Sequence, residues 1–137
     1  MQKLNQSLAA DHETDPKPIL LKIAPDVTEE QLDDIISILK EIRLDGIIAT
    51  NTTLSRADLE TADGEVEEIG AGGLSGAPLT VRSRDVVAKL HESLGREIPV
   101  IGVGGIMNGA DAWNMICLLY TSPSPRDLST SRMPSSA

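Results

Sequence analysis

Short apolar runs and longer apolar stripes alternate along the chain. The short runs stand in the segments PILLKIAPD, DGIIAT and IPVIGVGG, and each ends in proline, in polar residues or in glycine. Runs of this length, bounded by turn-forming residues, are typical of strands that are buried on both faces of a parallel sheet. The sequence therefore predicts three strands, near residues 19–24, 47–50 and 98–105.

An apolar stripe at helical spacing follows each run. Thr28 and Gln31 form a capping box at the start of the segment DVTEEQLDDIISILKEIRLDG, whose apolar residues recur along one helix face. A second stripe predicts a helix from about Val81 to Leu94, with Gly95 as the residue that ends it. Asn108 is a suitable N-cap for a third helix.

The order strand, helix, strand, helix, strand, helix predicts a parallel α/β sheet built from right-handed βαβ crossovers. Three such units are too few to close a barrel. Two arrangements remain open on this pattern alone: a part of a doubly wound sheet, or a partial (β/α)8 TIM barrel.

Composition and charge narrow the function classes. The 137 residues fit one domain, and 12 basic against 21 acidic residues give a net charge of −9, which argues against nucleic acid as a partner. No run is long enough to span a bilayer, and no signal peptide opens the chain. The single cysteine excludes an internal disulfide framework. Because His12 and His91 lack metal-ligand spacing, we expect no metal site.

The last part of the chain differs in character from the rest. Residues 117–137 are rich in serine and proline and show no strand or helix periodicity. Cys117–Asp127 and Ser131–Ala137 can be back-translated into the constant parts of a transposon-type sequencing-library adapter, in the same frame and the right order. We therefore predict that residues 1–116 are a fragment of a native protein and that residues 117–137 are a non-native, disordered tail.

Polar residues and glycines gather where the predicted strands end, which is where parallel α/β folds bind ligands. Lys22 stands in the first strand, and the third strand ends in Gly104 and Gly105. The second strand ends in Thr50-Asn51-Thr52-Thr53, and the polar stretch 51–71 that follows predicts a long loop, which leads into the segment GGLSG.

Each of these features has a simpler interpretation. Lys22 can extend to solvent, the threonines can cap a turn, and the glycines can form tight turns without any ligand. Their recurrence at equivalent strand ends of one sheet favours a binding site.

Four motifs, taken together and in order, resemble those of a known family. LLKIAPDVTEEQLDDI, DGIIATNTTLSR, GGLSGAPL and IPVIGVGGI look like the C-terminal part of dihydroorotate dehydrogenase, and most of all like its class 2, quinone-dependent form. The resemblance covers about residues 18–116. It implies about three consecutive βα units of a (β/α)8 barrel that binds FMN, in an enzyme that oxidises dihydroorotate to orotate in pyrimidine biosynthesis.

The resemblance also implies roles for individual residues. Lys22 would lie beside the flavin ring, where a cation stabilises the negative charge that builds up as the flavin accepts hydride. Thr50 would contact FMN, while Asn51 and Thr52 would hydrogen-bond the orotate ring. The backbone would approach FMN at two glycine-containing turns, formed by Ser75, Gly76, Gly104 and Gly105.

Two parts of the family pattern are missing. The class 2 catalytic base is a serine on an upstream loop, and no stretch here matches it, so we assign no catalytic residue and expect the base upstream of Met1. The N-terminal helices that contact quinone and membrane are missing too. The resemblance implies a parent enzyme at the inner membrane, peripheral and on the cytoplasmic side if bacterial. We expect this fragment to be inactive and poorly soluble.

Rival interpretations remain open at this point. A class 1 dihydroorotate dehydrogenase, or the pyrimidine-reducing domain of a dihydropyrimidine dehydrogenase, would share the barrel and the flavin. A flavin-free phosphate-binding aldolase or isomerase would use Lys22 as a Schiff-base residue. A non-enzymatic binding module is the third alternative. The upstream base, a flavin spectrum and borohydride trapping would discriminate among them.

Overall fold

The computed structural model describes residues 17–57 and 59–120. The elements, in chain order, are strand β1 (Leu20–Ile23), helix α1 (Glu29–Ile42), strand β2 (Gly46–Ala49), helix α2 (Asp63–Ile69), a 3-10 turn (Ala77–Leu79), helix α3 (Thr80–Leu94), strand β3 (Val100–Gly102) and helix α4 (Gly109–Tyr120). The three predicted strands and the three predicted helices are confirmed.

The strands form one parallel sheet in the order β1-β2-β3. In its register Lys22 lies beside Ile48, and Ile48 lies beside Ile101. Because side chains alternate across a strand, these three residues share one face of the sheet, and Ile23, Ala49 and their neighbours share the other. Ile101 is 44% exposed, whereas Ala49 is fully buried, so the two faces have different surroundings.

Among the described residues, helices cover only the second face. One buried cluster joins strand residues of that face to the apolar stripes of three helices: Leu32, Ile36 and Leu39 of α1, Val86, Val87, Leu90 and Leu94 of α3, and Met115 of α4. A doubly wound sheet carries helices on both faces, whereas a (β/α)8 barrel carries them on the outside alone. The sequential strand order and the single helical layer are those of a partial barrel.

Helix ends form where the sequence predicts them. The Thr28 side chain accepts a hydrogen bond from the Gln31 backbone N–H at 3.2 Å, and the Gln31 side chain accepts one from the Thr28 N–H at 2.9 Å, which completes the capping box. Asn108 Oδ1 accepts from the N–H groups of Ala110 and Asp111, so Asn108 caps α4. Gly95 ends α3 and donates to the carbonyl of His91.

The predicted loop 51–71 contains an additional helix, α2. No residue of α2 is buried, and Ile69 near its end is 81% exposed. The apolar stripe that reveals α1 and α3 in the sequence is therefore lacking, because α2 packs no face against a core.

Helix α4 continues without a break from Ile116 through Tyr120. The disorder expected from residue 117 onward therefore does not begin at Cys117, which is helical. The rest of the predicted tail, 121–137, lies outside the described residues. The division of the chain at residue 116 stays a prediction. Within the described residues, none of the helices combines the length and the apolar character that crossing a membrane requires.

Candidate functional site at the carboxyl edge of the sheet

Lys22 extends from the face of the sheet on which the described part of the chain places no helix. It is the third residue of β1 and lies directly beside Ile48 of β2. Its side chain is exposed among the described residues. A lysine on a helix-covered face would have to bury its ammonium group at a cost in hydration, whereas Lys22 stays hydrated. Its ammonium group is therefore available to a ligand that lies against the open face.

The backbone after β2 is fixed by hydrogen bonds to both neighbouring strands. The Asn51 N–H donates to the carbonyl of Ile23 at 2.7 Å, and the Thr50 N–H donates to the carbonyl of Val103 at 2.7 Å. The Val103 N–H in turn donates to Ala49 at 2.6 Å. These bonds hold Thr50 and Asn51 between the end of β1 and the glycine turn that follows β3.

The Thr50 side chain carries a buried polar atom without a partner. Thr50 is 2% exposed, and among the described residues nothing hydrogen-bonds to its Oγ1. An unsatisfied buried hydroxyl costs free energy, so this atom at a strand end is a candidate hydrogen-bonding partner for a bound group.

The segment GGLSG is joined to the loop after β2. Thr53 and Leu74 exchange backbone hydrogen bonds of 2.9 and 2.7 Å in an antiparallel bridge. A Cβ on Gly73 would lie 2.0 Å from the Thr52 hydroxyl, so only glycine allows this contact. Ser75 and Gly76 follow directly, and the φ of Gly76 is +91°. The bridge thus brings the second predicted glycine turn to the edge that holds Thr52.

The first turn of α3 supports the glycine turn after β3. Gly105 has a φ of +67°, and a Cβ there would lie 2.3 Å from the Thr80 Cα. The Thr80 hydroxyl donates to the Gly105 carbonyl at 2.6 Å, and the buried Ser83 hydroxyl donates to Val103 at 2.9 Å. Gly104 also has a positive φ, of +105°. Both glycines are required by conformation, and Gly105 by space as well.

The structure therefore brings the predicted site residues to one edge of the sheet. They are Lys22, Thr50, Asn51, Thr52, Ser75, Gly76, Gly104 and Gly105. The side chains differ in access: Asn51 and Ser75 are exposed, Thr52 is half-buried and Thr50 is buried. Their individual roles toward a flavin and a substrate stay predictions.

Several residues that build this edge carry no site signal in the sequence. The Asp26 carboxylate accepts hydrogen bonds from the Thr53 hydroxyl and from the Leu54 N–H. Arg82 of α3 donates from Nε to the carbonyl of Pro25 at 2.9 Å and from an Nη to that of Val27 at 2.7 Å. Asp26 belongs to the KIAPD motif, but nothing in the motif assigns it a role, and Arg82 lies far along the chain from both loops.

A charged cluster links α1 to α3 beside this edge. Glu29 Oε1 lies 3.2 Å from Arg82, and its Oε2 lies 3.0 Å from Lys89, which is also 2.7 Å from Asp33. Hydrogen bonds from Lys89 and then Arg82 lower the pKa of Glu29. Hydrogen bonds to Asp33 and then Glu29 raise the pKa of Lys89. The cluster is solvent-exposed, so salt screens it.

A cavity of about 290 Å³ lies between the loops after β1 and β2 and the start of α3. Its lining includes Asp26, Thr53 and Arg82 but none of the predicted site residues. Asp26 and Thr53 hydrogen-bond each other, and Arg82 hydrogen-bonds backbone carbonyls on either side of Asp26, so these polar groups already have partners. Because its lining contains other residues, the cavity lies beside the predicted site but is separate from it.

Comparison with known proteins agrees with the motifs. The family profile described as Dihydroorotate dehydrogenase matches residues 2–118. A relative from Nitrosospira multiformis, named dihydroorotate dehydrogenase (quinone), is 52% identical over 114 residues, which are 83% of this chain and 32% of the relative. One of the same name from Corynebacterium glutamicum is 46% identical over 116 residues, which are 85% of this chain and 31% of the relative.

Solved structures agree as well. Dihydroorotate dehydrogenase from Eimeria tenella in complex with ferulenol is similar with a TM-score of 0.70 and 32% identity, over 85% of this chain and 34% of that one. The ligand-free form from the same organism gives a TM-score of 0.66 and 35% identity, over 75% of this chain and 28% of that one. This chain thus spans about a third of the length of the proteins that it matches.

These matches favour a dehydrogenase barrel over a flavin-free aldolase or isomerase. The names of both relatives specify quinone. On the motifs, the strand-end geometry and the extent of the match, the chain belongs to the dihydroorotate dehydrogenase family.

Proposed function

We propose that this chain forms part of the flavin- and substrate-binding edge of an oxidoreductase that converts dihydroorotate to orotate, with FMN as hydride acceptor and quinone as final acceptor. One observation carries the proposal: the backbone bonds of Thr50 and Asn51 join the strand of Lys22 to the glycine turn after β3. The family match supports the reaction class.

FMN fits the residues that are present. It offers a phosphate, a polyol chain and a ring edge with hydrogen-bonding atoms, and the edge of the sheet offers a counterpart to each. The buried Thr50 hydroxyl lacks a partner among the described residues. Gly76, Gly104 and Gly105 have positive φ angles that open backbone N–H groups to a ligand. The Lys22 ammonium is exposed nearby.

In the proposed reaction FMN, when bound, supplies the hydride-accepting chemistry. Lys22 holds a positive charge on the open face of the sheet and stabilises the negative charge that builds up beside it. Because β1 is paired with β2 over its whole length, the backbone that carries this side chain is held in place.

Asn51 and Thr52 orient the substrate. The Asn51 amide presents a donor and an acceptor together, which suits the alternating N–H and C=O groups of a flat pyrimidine ring. Its backbone is fixed on Ile23, and the side chain of Thr52 packs against Gly73. Fixed hydrogen-bonding groups lower the entropic cost of aligning substrate and acceptor.

Other parts of the proposed reaction are assigned by the family resemblance. We infer that the catalytic base is a serine upstream of Met1 and that quinone contacts the preceding region. We also infer that the parent enzyme lies peripherally at the membrane, and in a bacterium on the cytoplasmic side of the inner membrane. The quinone in the names of the Nitrosospira and Corynebacterium relatives supports quinone as the final acceptor.

A hybrid enzyme tests the proposal. Residues 18–116 of this chain replace the matching segment of the Nitrosospira multiformis relative, which supplies the rest of the protein. We expect the purified hybrid to be yellow, to hold stoichiometric FMN and to reduce a quinone analogue when dihydroorotate is added. A hybrid that unfolds cooperatively but holds no flavin and oxidises no dihydroorotate contradicts the proposal.

Substitution of Lys22 sharpens this test. Lys22→Ala in the hybrid removes the charge, and we expect kcat to fall by about 10² to 10³, as for the loss of one preorganised electrostatic group. Lys40→Ala, on the exposed side of α1, is the matched control and leaves kcat unchanged. Equal kcat values for the two variants would remove Lys22 from the proposed site.

A further inference from the structure

The Asp26 carboxylate bridges the two loops that carry the proposed site. Its Oδ1 accepts a hydrogen bond from the Thr53 hydroxyl, and its Oδ2 accepts one from the Leu54 N–H at 3.1 Å. Asp26 follows β1, and Thr53 and Leu54 follow β2. Because the carboxylate is charged and both bonds are made to one group, the bridge is stronger than two neutral contacts would be.

The proposed substrate residues lie between two points that are hydrogen-bonded to β1 and to the loop after it. The Asn51 N–H is held by Ile23, at the end of β1, and the Thr53 hydroxyl is held by Asp26, in the loop that begins there. Thr52 lies between these two anchors. The segment Asn51–Thr53 is therefore fixed at one end to the strand that presents Lys22 and at the other end to the loop that follows this strand.

The anchored hydroxyl is itself part of a wider set of bonds. Thr53 is 7% exposed, its Oγ1 also accepts from the Ser55 N–H at 2.9 Å, and its backbone pairs with Leu74. Loss of the Asp26 carboxylate would leave the buried hydroxyl without its acceptor and would release Leu54. The path from Asp26 to Thr52 consists of adjacent covalent and hydrogen bonds.

We propose that Asp26 is a positioning residue for substrate binding: it holds Asn51 and Thr52 in register with Lys22. This inference rests on the proposed function, because it assigns Asn51 and Thr52 to the substrate. Asp26 touches neither substrate nor cofactor in this account and acts through Thr53 and Leu54.

The chain contains a matched control. Asp45 also joins β1 to β2 through a carboxylate, because its Oδ2 accepts a hydrogen bond from the Ile19 N–H at 2.7 Å. That bond lies where the two strands begin, at the opposite edge of the sheet. Asp26 and Asp45 thus link the same two strands with the same chemistry, but only Asp26 does so at the proposed site.

The experiment compares Asp26→Ala and Asp45→Ala in the hybrid enzyme. Orotate affinity is measured by titration calorimetry, and Tm by thermal unfolding. The steady-state kinetic constants are measured with dihydroorotate as substrate. We expect both variants to lower Tm. We expect Asp26→Ala alone to weaken orotate binding, by about tenfold or more, and to raise KM for dihydroorotate, with FMN content unchanged. Asp45→Ala keeps the native orotate affinity.

Two further variants keep the proposal falsifiable if Asp26→Ala does not fold. Thr53→Val removes the hydroxyl that binds Asp26 and keeps the shape of the side chain, and we expect it to reproduce the loss of orotate affinity. Asp26→Asn retains an acceptor for Leu54 and gives an intermediate loss. Equal orotate affinities in the Asp26, Thr53 and Asp45 variants overturn the proposal. A native hybrid without dihydroorotate oxidation overturns the proposed function instead.

Discussion

The backbone N–H of Asn51 donates a hydrogen bond to the carbonyl of Ile23 at 2.7 Å. This bond joins the second residue after β2 to the last residue of β1, one position beyond Lys22. An amine and a carboxamide that are far apart in sequence therefore share one edge of the sheet. The same edge continues through Thr50 and Val103 to the glycine turn after β3.

Removal of the Thr50 hydroxyl tests whether this group contributes to stability or to FMN affinity. In Thr50→Val the buried atom without a partner disappears, so we expect the FMN-free hybrid to be as stable as the native one or more stable. FMN affinity falls by about threefold to tenfold, because one hydrogen bond is lost. The measurements are Tm of the FMN-free protein and a fluorescence titration with FMN. A loss of stability with unchanged FMN affinity would show that the hydroxyl serves the fold.

Substitution of Gly105 tests the glycine turn. Gly105→Ala puts a methyl group 2.3 Å from the Thr80 Cα at a φ of +67°, so the turn has to move away from α3. We expect a loss of about 1–3 kcal/mol in stability and a lower FMN content. Gly72→Ala is the control, because no atom of the described residues lies within 4 Å of its Cβ position. Thermal unfolding and flavin absorbance report both effects; equal values for the two variants would contradict this view of the turn.

The ion pairs of Glu29 predict a pH dependence of stability. Because Lys89 and Arg82 lower the pKa of Glu29 below its usual 4.5, the stability they confer is present above that value and is lost as pH falls through the lowered pKa. We expect Glu29→Gln to lower Tm of the hybrid at about pH 7 and to have no effect in acid, where Glu29 is protonated.

Glu41→Gln is the matched control for Glu29, on the same helix. No ion pair of Glu41 occurs within the parts of the chain that the structure describes. We expect its Tm to follow that of the native hybrid at every pH, and high salt to reduce the effect of Glu29→Gln. An effect of Glu29→Gln that persists in acid would rule out the ion pairs as its cause.

The 137-residue chain by itself is expected to lack flavin. Strands β1 and β3 each pair on one side only within the described residues, and Leu20, Ile101 and Val103 are 37%, 44% and 39% exposed. Unpaired strand edges and an open apolar face favour self-association. Size-exclusion chromatography and a visible spectrum of the purified chain check this. A soluble monomer with stoichiometric FMN would contradict it.

The sequence predicts those features that depend on local patterns. The capping box of Thr28 and Gln31 sets the start of α1, and short apolar runs locate the strands, because both depend on residues close in sequence. Helix α2 escapes prediction, because it buries no residue and so has no apolar stripe. Trp113 shows a similar limit: as a large aromatic residue on a predicted helix it is expected to pack against the core, yet it is 66% exposed.

The same distinction between local patterns and tertiary contacts applies to the candidate site. The residue types at the strand ends, such as Lys22 and Asn51, are visible in the sequence, because the end of an apolar run identifies them. The contact of Asp26 with Thr53 and the support of Gly105 by Thr80 are tertiary, between residues 25 or more apart in the chain. No local pattern contains that information, and only the folded sheet supplies it.

A crystal structure of the hybrid enzyme with orotate bound tests the central claim most directly. We predict the Lys22 ammonium in hydrogen-bonding distance of the flavin ring and the Asn51 carboxamide in hydrogen-bonding distance of orotate, with the Gly105 turn at the FMN phosphate. A structure in which flavin and orotate bind while Lys22 and Asn51 contact neither would contradict the account.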